Sequence, residues 1–150
     1  TFISPGQASR EDKVKIKLNP ISENIRGKRI VLVDDSIVRG TTLARTIKLV
    51  REAGAREVHV RITAPPFRHP CWYPCYFGTD IPNKEKLIAC HHTVDEICEI
   101  IGADSLGYLD EKYLPILPSD DRKHTYCTGC FNGDYGADVP SVTSKDRFES

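Results

Sequence analysis

The stretch 29–42 constrains the fold of this chain more than any other. It reads Arg29-Ile30-Val31-Leu32-Val33-Asp34-Asp35-Ser36-Ile37-Val38-Arg39-Gly40-Thr41-Thr42. Ile30, Val31, Leu32 and Val33 form a continuous apolar run, the pattern of a parallel strand that helices cover on both faces. Two adjacent carboxylates follow, then a small, hydroxyl-rich loop. Beyond Thr42 the apolar period changes: Leu43, Ile47 and Val50 fall at i, i+4 and i+7 and predict a helix, which Ala53-Gly54 ends. Strand, acidic turn, loop and helix N-terminus, in that order, make an anion site. The first N–H groups of the helix lack partners and its dipole favours negative charge. Gly40 lets a ligand approach the backbone, and Ser36, Thr41 and Thr42 add hydroxyl donors. Asp34 and Asp35 would repel a phosphate if they faced it. They are expected to face another part of the same ligand, sugar hydroxyls or a bound Mg²⁺.

The 150 residues suffice for one domain with a real core. Lys plus Arg and Asp plus Glu both number 21, so no global charge argues for nucleic acid or a membrane surface. No apolar stretch has transmembrane length and no secretory signal is visible. The first residue is Thr1 and Met is absent, from which a piece of a longer protein is expected. Six cysteines would suit a secreted disulfide scaffold, but the α/β pattern points to a reduced, cytoplasmic protein with ligating or idle thiols.

Residues 1–19 are polar, with Val14, Ile16 and Leu18 alternating against Lys13, Lys15 and Lys17. They read as a short strand or ordered loop whose lysines form either a solvated face or a basic flap over a polyphosphate. Residues 57–64 alternate cleanly, with Val58, Val60 and Ile62 on one face, which predicts a half-exposed strand ended by Pro65-Pro66. Strand, helix and strand give a parallel βαβ unit over 29–64. Residues 67–82 form a loop rich in Pro, Cys and aromatics, with a near-duplication: Pro70-Cys71-Trp72-Tyr73, then Pro74-Cys75-Tyr76-Phe77. A short helix is expected over 84–89. A better one starts at the capping box of Thr93 and Glu96 and carries Val94, Ile97, Cys98 and Ile101 on one face, with Gly102 as its stop. A short strand over 105–109 and one helical turn over 111–117 follow. The motif Cys127-Thr128-Gly129-Cys130 comes next, and residues 137–150 form a polar tail.

The stretch 29–42 resembles the fingerprint of the type I phosphoribosyltransferases. Further motifs are similar to the C-terminal part of the glutamine phosphoribosylpyrophosphate amidotransferase family. They include Thr1-Phe2-Ile3, Lys17-Leu18-Asn19, Arg51-Glu52-Ala53-Gly54-Ala55, Ala64-Pro65-Pro66, Gly78-Thr79-Asp80-Ile81-Pro82, Leu87-Ile88-Ala89, Ile101-Gly102-Ala103-Asp104 and the Cys127–Cys130 motif with the residues after it to Tyr135. The resemblance implies an α/β fold, a partial type I phosphoribosyltransferase with a parallel sheet flanked by helices and an irregular Cys-containing C-terminal segment. On it, residues 1–136 are the C-terminal part of a phosphoribosyltransferase domain, with 1–19 as its flexible loop.

The implied activity is conversion of phosphoribosylpyrophosphate and glutamine to 5-phosphoribosylamine, pyrophosphate and glutamate, the first committed step of purine synthesis. Ammonia would come from an upstream glutaminase domain. Purine nucleotides would act as feedback ligands, and the longer protein would be a homo-oligomer. Asp34 and Asp35 would hold the ribose hydroxyls and Mg²⁺, while Ser36, Ile37, Val38, Arg39, Gly40, Thr41 and Thr42 would cradle the 5-phosphate. Lys17 would be the catalytic side chain that reaches the phosphates. Some members of the family carry a [4Fe–4S] cluster, and its ligands here would be Cys127, Cys130 and Cys75, with Cys71 as the alternative to Cys75. A zinc site completed by His69 or His124 is a weaker reading. Two other functions fit the phosphoribosyl motif: a nucleobase-salvage phosphoribosyltransferase, which would lack the Cys-x-x-Cys tail, and a non-catalytic sensing regulator, which would need a DNA-binding element that the chain does not display.

Overall fold

The computed structural model describes residues 20–71, 84–117, 126–136 and Asp138. A single helical turn, α1 (Ser22–Ile25), leads into strand β1 (Arg29–Asp34). Helix α2 (Thr41–Glu52) and strand β2 (Glu57–Ile62) complete the βαβ unit. Two 3₁₀ turns (Lys84–Lys86 and Ile88–Cys90) precede helix α3 (Val94–Ile101) and strand β3 (Ser105–Tyr108). A 3₁₀ segment (Glu111–Ile116) and the short helix α4 (Gly129–Asn132) follow.

The three strands form a parallel sheet in the order β1-β2-β3, with Ile30 opposite Val58, Leu32 opposite Val60 and Val60 opposite Leu106. One face of this sheet carries the core. Val58, Val60 and Ile62 lie buried against Leu43, Ile47 and Val50 of α2 and Ile97 and Ile101 of α3. The predicted periods thus hold where they were strict: period two along β2 and one stripe along each helix. Helix α3 begins at the expected capping box. Thr93 Oγ1 accepts from the Glu96 N–H and the Thr93 N–H donates to Glu96 Oε2 at 2.7 Å. Gly102 ends it in the left-handed region, as expected.

Among the described residues the other face of the sheet is open. The apolar run of β1 predicts cover on both sides, yet Val31 is 59% and Val33 68% exposed. The strand is also the edge of the sheet, paired only with β2 among the described residues. Around those valines the face is polar. His59 Nδ1 lies 2.8 Å from Ser105 Oγ, His59 Nε2 3.1 Å from Glu57 Oε2, and Arg29 pairs with the same carboxylate. Alternation sends every second residue of an apolar run to the face away from α2 and α3, and nothing described covers it there.

The single helix expected over 84–89 is two 3₁₀ turns broken at Leu87, whose backbone is extended. The extended backbone at Leu87 cannot carry helical bonding from the first turn into the second. Leu87 itself is fully buried. No described helix is long and apolar enough to cross a membrane.

Candidate phosphate and sugar site

The carboxyl ends of parallel strands are where ligands bind in open α/β sheets. Here Asp34 is the last residue of β1, and it and Asp35 are exposed. Asp34 Oδ1 accepts from the Asp35 N–H at 2.9 Å, and Ser36 Oγ donates to Asp35 Oδ1 at 3.0 Å. Each carboxylate thus spends one oxygen on the turn itself. The second oxygen of each makes no hydrogen bond among the described residues. The turn is anchored from β2: Thr63 donates its N–H to the Asp34 carbonyl at 3.0 Å, and its hydroxyl reaches the same oxygen. Sequence reading missed Thr63, because a backbone acceptor leaves no trace in the pattern of side chains.

Beyond the turn the loop dips into the core and returns. Ile37 is buried and Val38 half-buried, while Arg39 reaches the surface. Gly40 is the N-cap of α2, with φ +76°, the left-handed region that glycine enters without strain. It is also crowded. A Cβ there would lie 3.1 Å from Ile88 Cδ1 and 3.3 Å from Ile101 Cγ2. Having no side chain, Gly40 leaves the first turn of α2 without a side-chain cap. The N–H groups of Thr41, Thr42 and Leu43 are therefore available to an anion. The Val38 carbonyl accepts from the Ile88 N–H at 2.9 Å, which ties this loop to the second 3₁₀ turn.

The residues present fit a Mg²⁺-bearing sugar phosphate. Paired carboxylates with spare oxygens are hard ligands for the cation, and a glycine-opened helix start takes the phosphate. A shallow apolar groove of about 530 Å³ between α2 and α3, lined by Ala44, Ile47, Arg51 and Ile100 among others, includes none of these groups and is not this site.

The Cys-x-x-Cys motif lies at the same end of the sheet. The Cys130 carbonyl accepts from the N–H groups of Arg68 and His69, Phe131 stacks on Phe67 with ring centres 5.1 Å apart, and Tyr135 donates its hydroxyl to the Pro70 carbonyl at 2.5 Å. The Tyr135 ring lies where a side chain on residue 129 would begin, so only glycine fits there. Asn132 Nδ2 donates to Glu111 Oε1 at 2.7 Å, joining the motif to the segment after β3. Cys71, next to Pro70, is half-buried, as is Cys130, while Cys127 is exposed. Among the described residues no three His, Cys, Asp or Glu side chains converge on a metal position. Lys17, Cys75 and His124 lie outside the described residues. Cys90 and Cys98 turn their thiols to backbone carbonyls, of Arg68 and Ala103 respectively, and burial pushes both thiols up from their ordinary values.

Comparison with known proteins points to one family. Residues 4–85 match the family described as "Phosphoribosyl transferase domain". The chain is 52% identical over 135 residues to the amidophosphoribosyltransferase of Pyrococcus horikoshii, covering 90% of this chain and 28% of the relative. It is 46% identical over 147 residues to that of Synechocystis sp., covering 98% of this chain and 29% of the relative. Among solved structures, glutamine phosphoribosylpyrophosphate amidotransferase from B. subtilis, complexed with ADP and GMP, superposes with a TM-score of 0.75 at 45% identity, over 95% of this chain and 31% of that one. The chain therefore spans less than a third of the length of these relatives.

Proposed function

The chain belongs to the phosphoribosyl transferase domain family, and from that membership we propose that it is the phosphoribosyl-binding portion of an amidophosphoribosyltransferase. The whole reaction in this reading joins ammonia, released from glutamine by a separate glutaminase portion, to C1 of phosphoribosylpyrophosphate. The products are 5-phosphoribosylamine and pyrophosphate. The observation that carries the proposal is the acidic turn set directly before an uncapped helix start: Asp34 and Asp35 exposed, Gly40 opening α2.

Substitution at C1 passes through an oxocarbenium-like state, so catalysis consists of holding the sugar, leaving-group stabilisation and exclusion of water. Asp34 and Asp35 accept from the ribose hydroxyls and would hold Mg²⁺. The cation, when bound, neutralises charge on the departing pyrophosphate. The first N–H groups of α2 and the hydroxyls of Ser36, Thr41 and Thr42 grip the 5-phosphate, which fixes the ring relative to the strand end. Lys17, on a basic segment, would supply a point charge to the phosphates. Purine nucleotides in the same phosphoribosyl cradle account for feedback, and the assembly is an oligomeric cytoplasmic enzyme. A [4Fe–4S] cluster on Cys127, Cys130 and either Cys75 or Cys71 would brace the tail. What supports it is the docking of Cys130 against the loop that holds Cys71.

Two measurements test these readings. Calorimetric titration of the chain with phosphoribosylpyrophosphate and Mg²⁺ is expected to show binding that the Asp34→Asn, Asp35→Asn double variant weakens at least tenfold, about 1.4 kcal/mol or more. Equal affinity in the variant would refute the roles given to the pair. Anaerobic purification with iron and sulfide analysis is expected to return both elements; zinc without sulfide would replace the cluster with the zinc site completed by His69 or His124. The Cys-x-x-Cys tail argues against a nucleobase-salvage enzyme, which has no use for it.

A further inference from the structure

We infer that Ile88 is a positioning residue for the phosphate loop: it orients the Val38–Arg39 peptide so that the Arg39 N–H faces the bound 5-phosphate. The inference rests on reading residues 36–42 as the phosphate cradle. The Ile88 N–H donates to the Val38 carbonyl at 2.9 Å. The chain has no cis peptide among the described residues, so the Val38 carbonyl and the Arg39 N–H point in opposite directions across their shared plane. Capturing the carbonyl on the Ile88 side turns the N–H away from it. No described residue accepts from that N–H. It thereby joins the N–H groups of Thr41, Thr42 and Leu43, which have no acceptor among the described residues, as a donor.

The side chain of Ile88 does a second part of the work. Its Cδ1 stands 3.1 Å from the point where a Cβ on Gly40 would sit, and Ile101 Cγ2 closes the other side at 3.3 Å. Gly40 is buried between them, so the start of α2 cannot sink toward the core. The 3₁₀ turn that presents Ile88 is itself fixed, since Leu87 before it is fully buried and Ala89 after it is buried. Core, turn and loop form one rigid train, which sets the height of the cradle relative to Asp34. Thr63 fixes the other end of that loop through the Asp34 carbonyl.

The test uses the ¹⁵N-labelled chain and ribose 5-phosphate, which carries the 5-phosphate without pyrophosphate. Two variants separate the two contacts. Ile88→Pro removes the N–H at the first residue of a 3₁₀ turn that follows an extended Leu87, a setting proline tolerates. Ile88→Ala keeps the N–H and removes the buttress. In the unaltered chain the Ile88 amide is expected to exchange slowly throughout, while the Arg39 amide exchanges fast when free and slows and shifts as ribose 5-phosphate is added. Ile88→Pro is expected to abolish the Arg39 response and weaken binding about tenfold, the scale of one charge-assisted hydrogen bond. Ile88→Ala is expected to weaken binding with the Arg39 response retained, and Ile88→Val to restore it to within about twofold. An Arg39 amide that ribose 5-phosphate leaves unmoved at saturation overturns the inference while the cradle stands. So does unchanged affinity in both the Pro and Ala variants. Should Ile88→Pro fail to fold, the Ala and Val pair decides by the same affinity measurement. An unaltered chain that does not bind ribose 5-phosphate at all overturns the cradle reading itself, and this inference with it.

Discussion

Tyr108 closes β3 at the same carboxyl edge as Asp34, and its hydroxyl is buried with no hydrogen-bond partner among the described residues. Burial pushes its phenol from the ordinary 10.0 up to about 12, with the Arg68 guanidinium pulling weakly the other way. A raised acid pKa means that the fold favours the neutral form. That preference is fully present below pH 10 and is lost as pH rises toward 12. The melting temperature of the chain is therefore expected to fall across pH 10–12, and to fall less in Tyr108→Phe. At pH 7 the same variant is expected to melt no lower than the parent, because it removes a hydroxyl that forms no described bond. A thermal melt series against pH checks both. The carboxylates of the acidic turn play a different part: Asp34 and Asp35 are exposed, so what distinguishes them is placement at the strand end rather than burial.

At the scale of elements, what the sequence disclosed follows how local each signal is. The capping box of α3 lies within four consecutive residues, Thr93 to Glu96, and both of its bonds form. Hydrogen bonding to the Thr93 backbone, and then to its hydroxyl, holds the Glu96 carboxyl below its usual range. Thr93→Ala is expected to destabilise the chain by about 1 kcal/mol in denaturant unfolding, the usual cost of a lost N-cap. Acid should narrow the gap between parent and variant. The lowered Glu96 contributes above its unfolded value of 4.5 and ceases to contribute as pH falls through the folded one. The strand–turn–helix of 29–52 was equally readable, since the apolar run, the Asp pair and the Leu43, Ile47, Val50 stripe each sit within one element. The grip of Ile88 on Val38 was not. It joins backbone atoms of elements far apart in the chain, and backbone donors are the same in every residue but proline. Helix α4 was missed for a similar reason. Gly129, Cys130 and Phe131 have no helical period, and the turn is held by Phe67, Tyr135 and the carbonyl of Pro70.

At the scale of the whole molecule, the described residues form a sheet finished on one side. The run Ile30 to Val33 told that a strand was there but not which of its faces would be covered, because a continuous apolar run is the same whether one helix layer is present or two. The structure answers with α2 and α3 on the face of Val58 and Val60, and with Val31 and Val33 bare on the other. The likeness to relatives more than three times as long is in keeping with such a face. That bare face changes how a routine measurement reads. Anilinonaphthalene sulfonate brightens on apolar surface, and a bright signal is normally taken as the mark of a molten, loosely packed chain. Here the dye is expected to brighten at 25 °C on a chain that still melts in one cooperative step. The Val31→Thr, Val33→Thr double variant is expected to quench most of the dye signal and keep the cooperative melt. A gradual, non-cooperative melt in the parent would contradict this. If the melt is sharp, dye brightness in this chain reports a surface built into the native state, and a screen that discards bright proteins would discard a folded one.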